Sequence, residues 1–170
     1  MTKGLTPTSS VITIGAAVIE TGANTFTQAA IDLQLNPLDN EVFVVQAINL
    51  DVTAPDALAG VDTQTQASFS TTSLTALGTL NQSQVMAVSA DAIRAAGFVD
   101  GGVGFQRASM ETPPTGLDYI GIIATNDFFL QVQGTGNAVA KSAVAKVYGY
   151  RARASAAQYA ALVQSELLSS

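Results

Sequence analysis

Apolar and polar residues along most of this chain alternate with a period of two, in short runs bounded by turn residues, so the pattern is one of strands rather than helices. Val11-Ile12-Thr13-Ile14 opens as a β-branched run. In residues 25–35, Thr27, Ala29, Ile31, Leu33 and Leu35 fall on one side, and Asn36-Pro37-Leu38-Asp39-Asn40 then turns the chain. The strongest strand pattern is at residues 41–52. There Val42, Val44, Ile48 and Leu50 are predicted to share one face and Phe43, Val45 and Ala47 the other, which makes a strand covered on both sides. Pro55 and Gly60 lead into a Gln/Thr/Ser-rich stretch whose residues 64–70 are predicted to form a polar edge strand.

Residues 89–97 change character. Ser89 is suited to cap a helix, Asp91 to favour its positive end and Gly97 to take the left-handed position that stops it, so a short internal helix is predicted. Asp100-Gly101-Gly102 is a turn, residues 103–109 are a further strand, and Thr112-Pro113-Pro114-Thr115-Gly116 is a loop. Strands are then predicted at 118–124, 128–133 and 139–153, a spacing that suits antiparallel meanders or Greek keys. The last segment, 155–169, is predicted as a C-terminal helix capped by Ser155, with Ala156, Tyr159, Ala160, Val163 and Leu167 on its apolar stripe.

About eight strands and two helices in 170 residues fit one all-β domain spanning 1–170, an antiparallel jelly-roll barrel or sandwich, with residues 1–20 as an N-terminal arm or strand. A seven-stranded immunoglobulin-like sandwich stays open.

Composition narrows the chemistry. The chain has no Cys, His or Trp, so Ser–His–Asp and Cys–His nucleophiles and the usual zinc, copper and haem ligands are excluded. Carboxylate chemistry and hard-cation binding remain. Glu111 and Asp118 flank the Pro113-Pro114 loop, but the cleft of a glycosidase is normally lined by more aromatics than this chain offers; both read as solvated loop carboxylates. Asp51, Asp56 and Asp62 surround one loop and are candidates for Ca²⁺, although their spacing matches no defined calcium loop. Gly134-Thr135-Gly136 and Gly101-Gly102-Val103-Gly104 lack the following Lys-Ser or Lys-Thr of a phosphate loop and read as turns. No enzyme activity, cofactor, metal or small-molecule substrate is expected.

Charged residues make up 12% of the chain, about half the usual share, and Thr, Ser, Gln, Asn and Ala replace them. Such a surface suits subunits that pack against neighbours. The net charge is −6, and Lys3 is the only cation before Arg94, so no basic arm is available and no direct nucleic-acid binding is expected. Neither a secretory signal nor a membrane-spanning run is read at the N-terminus, which implies synthesis in the cytoplasm. Alternation places Tyr148, Tyr150 and Ala152 on one side of the last strand and Gly149, Arg151 and Arg153 on the other. This strand is either an edge whose arginines face water or a subunit contact, since Tyr and Arg are favoured anchors. Tyr148, Tyr150, Arg151 and Arg153, with Tyr159 and Val163 of the terminal helix, are the candidate interface residues.

Asp127-Phe128-Phe129-Leu130-Gln131-Val132-Gln133-Gly134 and Ala145-Lys146-Val147-Tyr148-Gly149-Tyr150-Arg151-Ala152 resemble closing strands of the single jelly-roll capsid proteins of tailless icosahedral viruses of bacteria and archaea. The resemblance covers about 40 residues. It implies a virion subunit that assembles with copies of itself, and with other capsid proteins, into capsomers and an icosahedral shell. Relatives whose shell encloses a membrane need no basic arm, so proximity to an internal viral membrane is part of the implication. Two other readings remain: a phage decoration, fibre or surface-filament subunit in which residues 11–19 serve as an exchanged strand, and a carbohydrate-binding β-sandwich.

Overall fold

The computed structural model describes residues 4–95, 97, 103–108 and 117–168. Ten strands and one α-helix lie among them: β1 (Leu5–Pro7), β2 (Ile12–Ile19), β3 (Thr27–Asp32), β4 (Glu41–Val52), β5 (Thr63–Ser70), β6 (Val85–Arg94), β7 (Val103–Ala108), β8 (Gly121–Ile123), β9 (Asp127–Thr135), β10 (Ser142–Ala154) and α1 (Ala156–Leu168). The chain doubles back on itself. β5 pairs with β6, β4 with β8, β3 with β9 and β2 with β10, all antiparallel, so that successive pairs nest one outside another. The bridging pairs β10·β4 and β9·β5 then sort the strands into two sheets, β2-β10-β4-β8 and β3-β9-β5-β6-β7. β1 continues the position of β2 farther along β10. Eight strands in this order form a jelly roll, the arrangement expected from the sequence, with β7 added beyond β6.

The sheets enclose an apolar core. Val18, Phe43, Val45, Ile48, Leu50 and Val147 enter it from one side, and Ala67, Phe69, Phe128, Leu130 and Val132 from the other. The rings of Phe69 and Phe128 stack with centroids 4.7 Å apart. The Asn36–Asn40 turn forms as expected: the Asn36 side chain accepts a hydrogen bond from Leu38 N at 3.1 Å, Pro37–Asp39 makes one 3₁₀ turn, and Asn40 closes it at φ 51°.

Four expectations are corrected. Residues 89–94 belong to β6, where Ser89 lies opposite Ala67 and Ala108; pairing on both sides outweighs the helix preference of an Ala-rich segment. β5 is an interior strand between β9 and β6, and its polar residues Thr63, Thr65, Ser68 and Ser70 are buried. β10 is also interior, paired with β4 along one side and with β1 and β2 along the other, so it is not an edge. In β4 the two predicted faces exchange partway along. Tyr148 pairs with Ala47 but Gly149 pairs with Val45, which leaves Gln46 as a bulge. Phe43 and Val45 therefore share the core with Ile48 and Leu50, while Val42 and Val44 face outward. Gly149 is required at this point, because a Cβ there would lie 2.3 Å from the Val44 carbonyl and 2.8 Å from the Phe43 ring.

Candidate functional site

The outward side of the β2-β10-β4-β8 sheet is divided in two. Over one half lies α1. Ser155 caps the helix, its Oγ accepting from Gln158 N at 3.4 Å. Tyr159, Leu162 and Val163 pack on a second apolar cluster formed by Leu5, Val42, Val44, Ala124, Ala152 and Ala154. The inward stripe is thus 159, 162, 163 and 166, whereas Leu167 of the predicted stripe is exposed. Glu166 explains the rotation. Its carboxylate is buried and accepts from Ala124 N at 2.9 Å and Thr125 N at 2.8 Å, pinning the last turn of α1 to the turn before β9. A cleft of about 380 Å³ lined by Leu35, Pro37, Ala124, Thr125, Asn126, Tyr159 and Val163 runs beside it.

The other half of this face is bare. Register places Thr13, Tyr148 and Ala47 in one row, Gly15, Lys146 and Asn49 in the next, and Ala17, Val144 and Asp51 in a third. Val144 is 48% exposed and Ile19 67% exposed.

The six residues chosen from sequence therefore take different places. Tyr150, Tyr159 and Val163 meet in the cluster under α1. Tyr148 is half-buried on the bare half. Arg151 turns to the opposite face and fastens the β3–β4 connection: Nη2 donates to Leu33 O at 2.7 Å, and Nη1 to Gln34 O and Glu41 Oε2, each at 3.1 Å. Arg153 pairs with Asp39 at 3.1 Å, with both side chains more than half exposed.

Asp51, Asp56 and Asp62 are not brought to one point. Asp56 accepts from Lys141 Nζ, Ala138 N and Val139 N, and Asp62 from Arg94 Nη1 and Ala95 N. Lys141 is 4% exposed, and its ammonium beside Asp56 holds that carboxyl below the usual carboxylate range. Asp51 instead lies near Asp91 of β6. Burial pushes the Asp91 carboxyl above its ordinary range, and the charge of Asp51 adds to the shift. Among the described residues no group of three or more acidic side chains is placed to hold a metal ion. Of the glycosidase pair, Asp118 is exposed and Glu111 lies outside the described residues.

Two polar assemblies had no sequence signal. At one end of the sandwich, buried Glu20 accepts from Gly134 N at 2.6 Å and Lys141 N at 2.7 Å, while Asn137 donates to Gln64 O and accepts from Asp56 N. This ties the loops after β2, β4 and β9 together. On the outer side of the other sheet, Gln131 is fully buried; it donates to Ser70 Oγ and Gln28 Oε1 and accepts from Ser68 Oγ. Gly78 N and Leu74 N bond to the same group, so residues 71–84 lie over this face as a polar cover.

No helix among the described residues is long and apolar enough to cross a membrane. No protein-family model and no curated protein matches the chain. Among solved structures, a chain of Desmodium yellow mottle tymovirus aligns over 86% of this chain and 87% of its own, at 13% identity and a TM-score of 0.33.

Proposed function

We propose that this chain is a non-enzymatic structural subunit, a coat protein of the single jelly-roll kind that assembles with copies of itself into capsomers and a closed shell, and that its working location is the virion. The observation that carries this reading is the poverty of charge on the folded surface. Charged residues are 12% of the chain, and the fold buries Glu20, Lys141 and Glu166 among them. A soluble domain that functions alone usually covers itself with roughly 25–35% charged side chains, and depletion of charge marks the centres of protein interfaces. The jelly roll supplies a rigid block, and the resemblance of residues 127–134 and 145–152 to capsid strands agrees with such a role.

Tyr148 on the bare half-face and Arg153, exposed beside Asp39 at the far end of β10, are the candidate residues left with surface to offer a neighbour. The exchanged-strand alternative is less favoured, because β2 already pairs with β10 of its own chain over eight residues. Electron microscopy of the concentrated protein, with size-exclusion chromatography and light scattering, tests the proposal. Closed particles or discrete oligomers are expected. A strictly monomeric protein at every salt and pH would overturn it.

A further inference from the structure

We propose that β2 pairs edge to edge with β2 of a second copy, antiparallel about a two-fold axis through Gly15, so that two sandwiches share one continuous sheet. The inference rests on the self-assembly reading and names its contact. β2 is hydrogen-bonded along one side only, to β10, and among the described residues no strand pairs with its other side. Exposed edges are normally blunted by charge, proline, a bulge or short length. At the opposite edge of the same sheet β8 is cut to three residues, and the edge strand β3 ends on the charged, exposed Asp32. β2 has none of these devices. Its eight residues, Ile-Thr-Ile-Gly-Ala-Ala-Val-Ile, contain no charge and no proline, and its register with β10 is unbroken.

The side chains favour a copy of this chain as the occupant. Ile12, Ile14, Ala16 and Val18 point to the core, and Val11, Thr13, Gly15, Ala17 and Ile19 lie on the outer side. Facing residues in a continuous sheet must point the same way, so odd positions meet odd and even meet even. Centring the axis on Gly15 satisfies this. Val11, 57% exposed, then lies across from Ile19, 67% exposed, of the other copy. Thr13 meets Ala17, and Gly15, with no side chain, meets itself at the axis. No like charges are set opposite each other. The nearest cation, Lys146, neighbours Gly15 within its own sheet. The two copies of Lys146 would stand three strand spacings apart, about 14 Å, beyond the Debye length of about 8 Å.

The chain has no cysteine, and a Cβ at Gly15 meets nothing within 4 Å, so Gly15→Cys introduces a lone thiol without strain. Across the proposed axis the two thiols lie on Cα atoms about 4.5–5.5 Å apart, within the reach of a disulfide. Ala17→Cys, equally exposed, would hold its thiols roughly 14 Å apart. Under mild oxidation Gly15→Cys is expected to form a covalent dimer at least ten times faster than Ala17→Cys; equal rates, or no dimer from Gly15→Cys, would overturn the pairing. The double variant Thr13→Lys/Ala17→Lys is expected to lose the dimer by light scattering, and mixing it with Thr13→Glu/Ala17→Glu to restore it; an unchanged mass counts against the register. Shells of the unmodified protein without Gly15→Cys cross-linking would remove the pairing and leave the assembly reading intact. Cross-linked dimers that never grow into larger particles would do the reverse.

Discussion

The two sheets of this jelly roll are covered on their outer sides by opposite means. Over β2-β10-β4-β8, α1 buries Tyr159, Leu162 and Val163 against Val42, Val44, Ala152 and Ala154. Over β3-β9-β5-β6-β7, residues 71–84 are held by Gln131, Ser68, Ser70 and Gln28, a group of side chains linked by hydrogen bonds. The first cover is non-directional and tolerates small shifts of the helix. The second is directional, and losing one member leaves buried partners unsatisfied. The apolar cover should therefore govern whether the molecule stays folded, and the polar cover whether one segment stays in place.

The largest effect is expected from removing α1 by truncation after Ser155. Exposing its apolar bed costs on the order of 5 kcal/mol, enough to remove most of the stability of a domain this size. Little soluble folded protein should be recovered, and circular dichroism of what remains should show a non-cooperative melt. Gln131→Leu keeps the volume but strips Ser68 of its acceptor and Ser70 and Gln28 of a donor. A loss of about 2 kcal/mol in urea is expected, together with new proteolytic cutting confined to residues 71–84. If that segment stays protected, the polar cover is not what holds it. Glu166→Gln tests a polar anchor of the apolar cover. The amide can accept from only one of Ala124 N and Thr125 N, so a drop of about 1 kcal/mol is expected.

The smallest effect, and one belonging to neither cover, is expected at the loop end of the sandwich. The Asp56 carboxyl is held below its usual range chiefly by its hydrogen bond to Lys141. Its contribution is therefore complete above the unfolded value of about 3.9 and fades as pH falls through the lower folded value. Urea midpoints of the native chain and Asp56→Asn should differ at neutral pH and converge in strong acid. A difference that persists at pH of about 1 would assign the effect to packing rather than to the ion pair.

Much of this architecture could be read from the residues, because alternation and turn chemistry are local. β4 occupies residues 41–52 as the pattern implied, and the Asn36–Asn40 turn closes as written. What escaped depends on partners distant in sequence. The bulge at Gln46 exists only relative to Tyr148 and Gly149, and it exchanges the faces of β4. Polar residues in β5 suggested an edge because polarity usually means water, whereas here Ser68 and Ser70 face Gln131. Residues 89–94 had helix composition and a strand's neighbours. Of the candidate interface, alternation correctly separated Tyr148 and Tyr150 from Arg151 and Arg153. It could not tell that Arg151 would be engaged by the Leu33 and Gln34 carbonyls, or that Glu166 would turn α1 about its axis.

The nested pairing also sets an order in time. β10, which joins β1, β2 and β4 into one sheet, is residues 142–154 and the last strand in chain order among the described residues. A chain leaving the ribosome can close β5 on β6 early, but the apolar strands β2 and β4 cannot be joined into one sheet until β10, which follows the other nine strands, has emerged. Pairings this distant in sequence close slowly, and unpaired strands are the surfaces on which nascent chains go astray. An ordered β2 edge therefore exists only on a finished subunit, so incomplete chains would be left out of any assembly built on that edge.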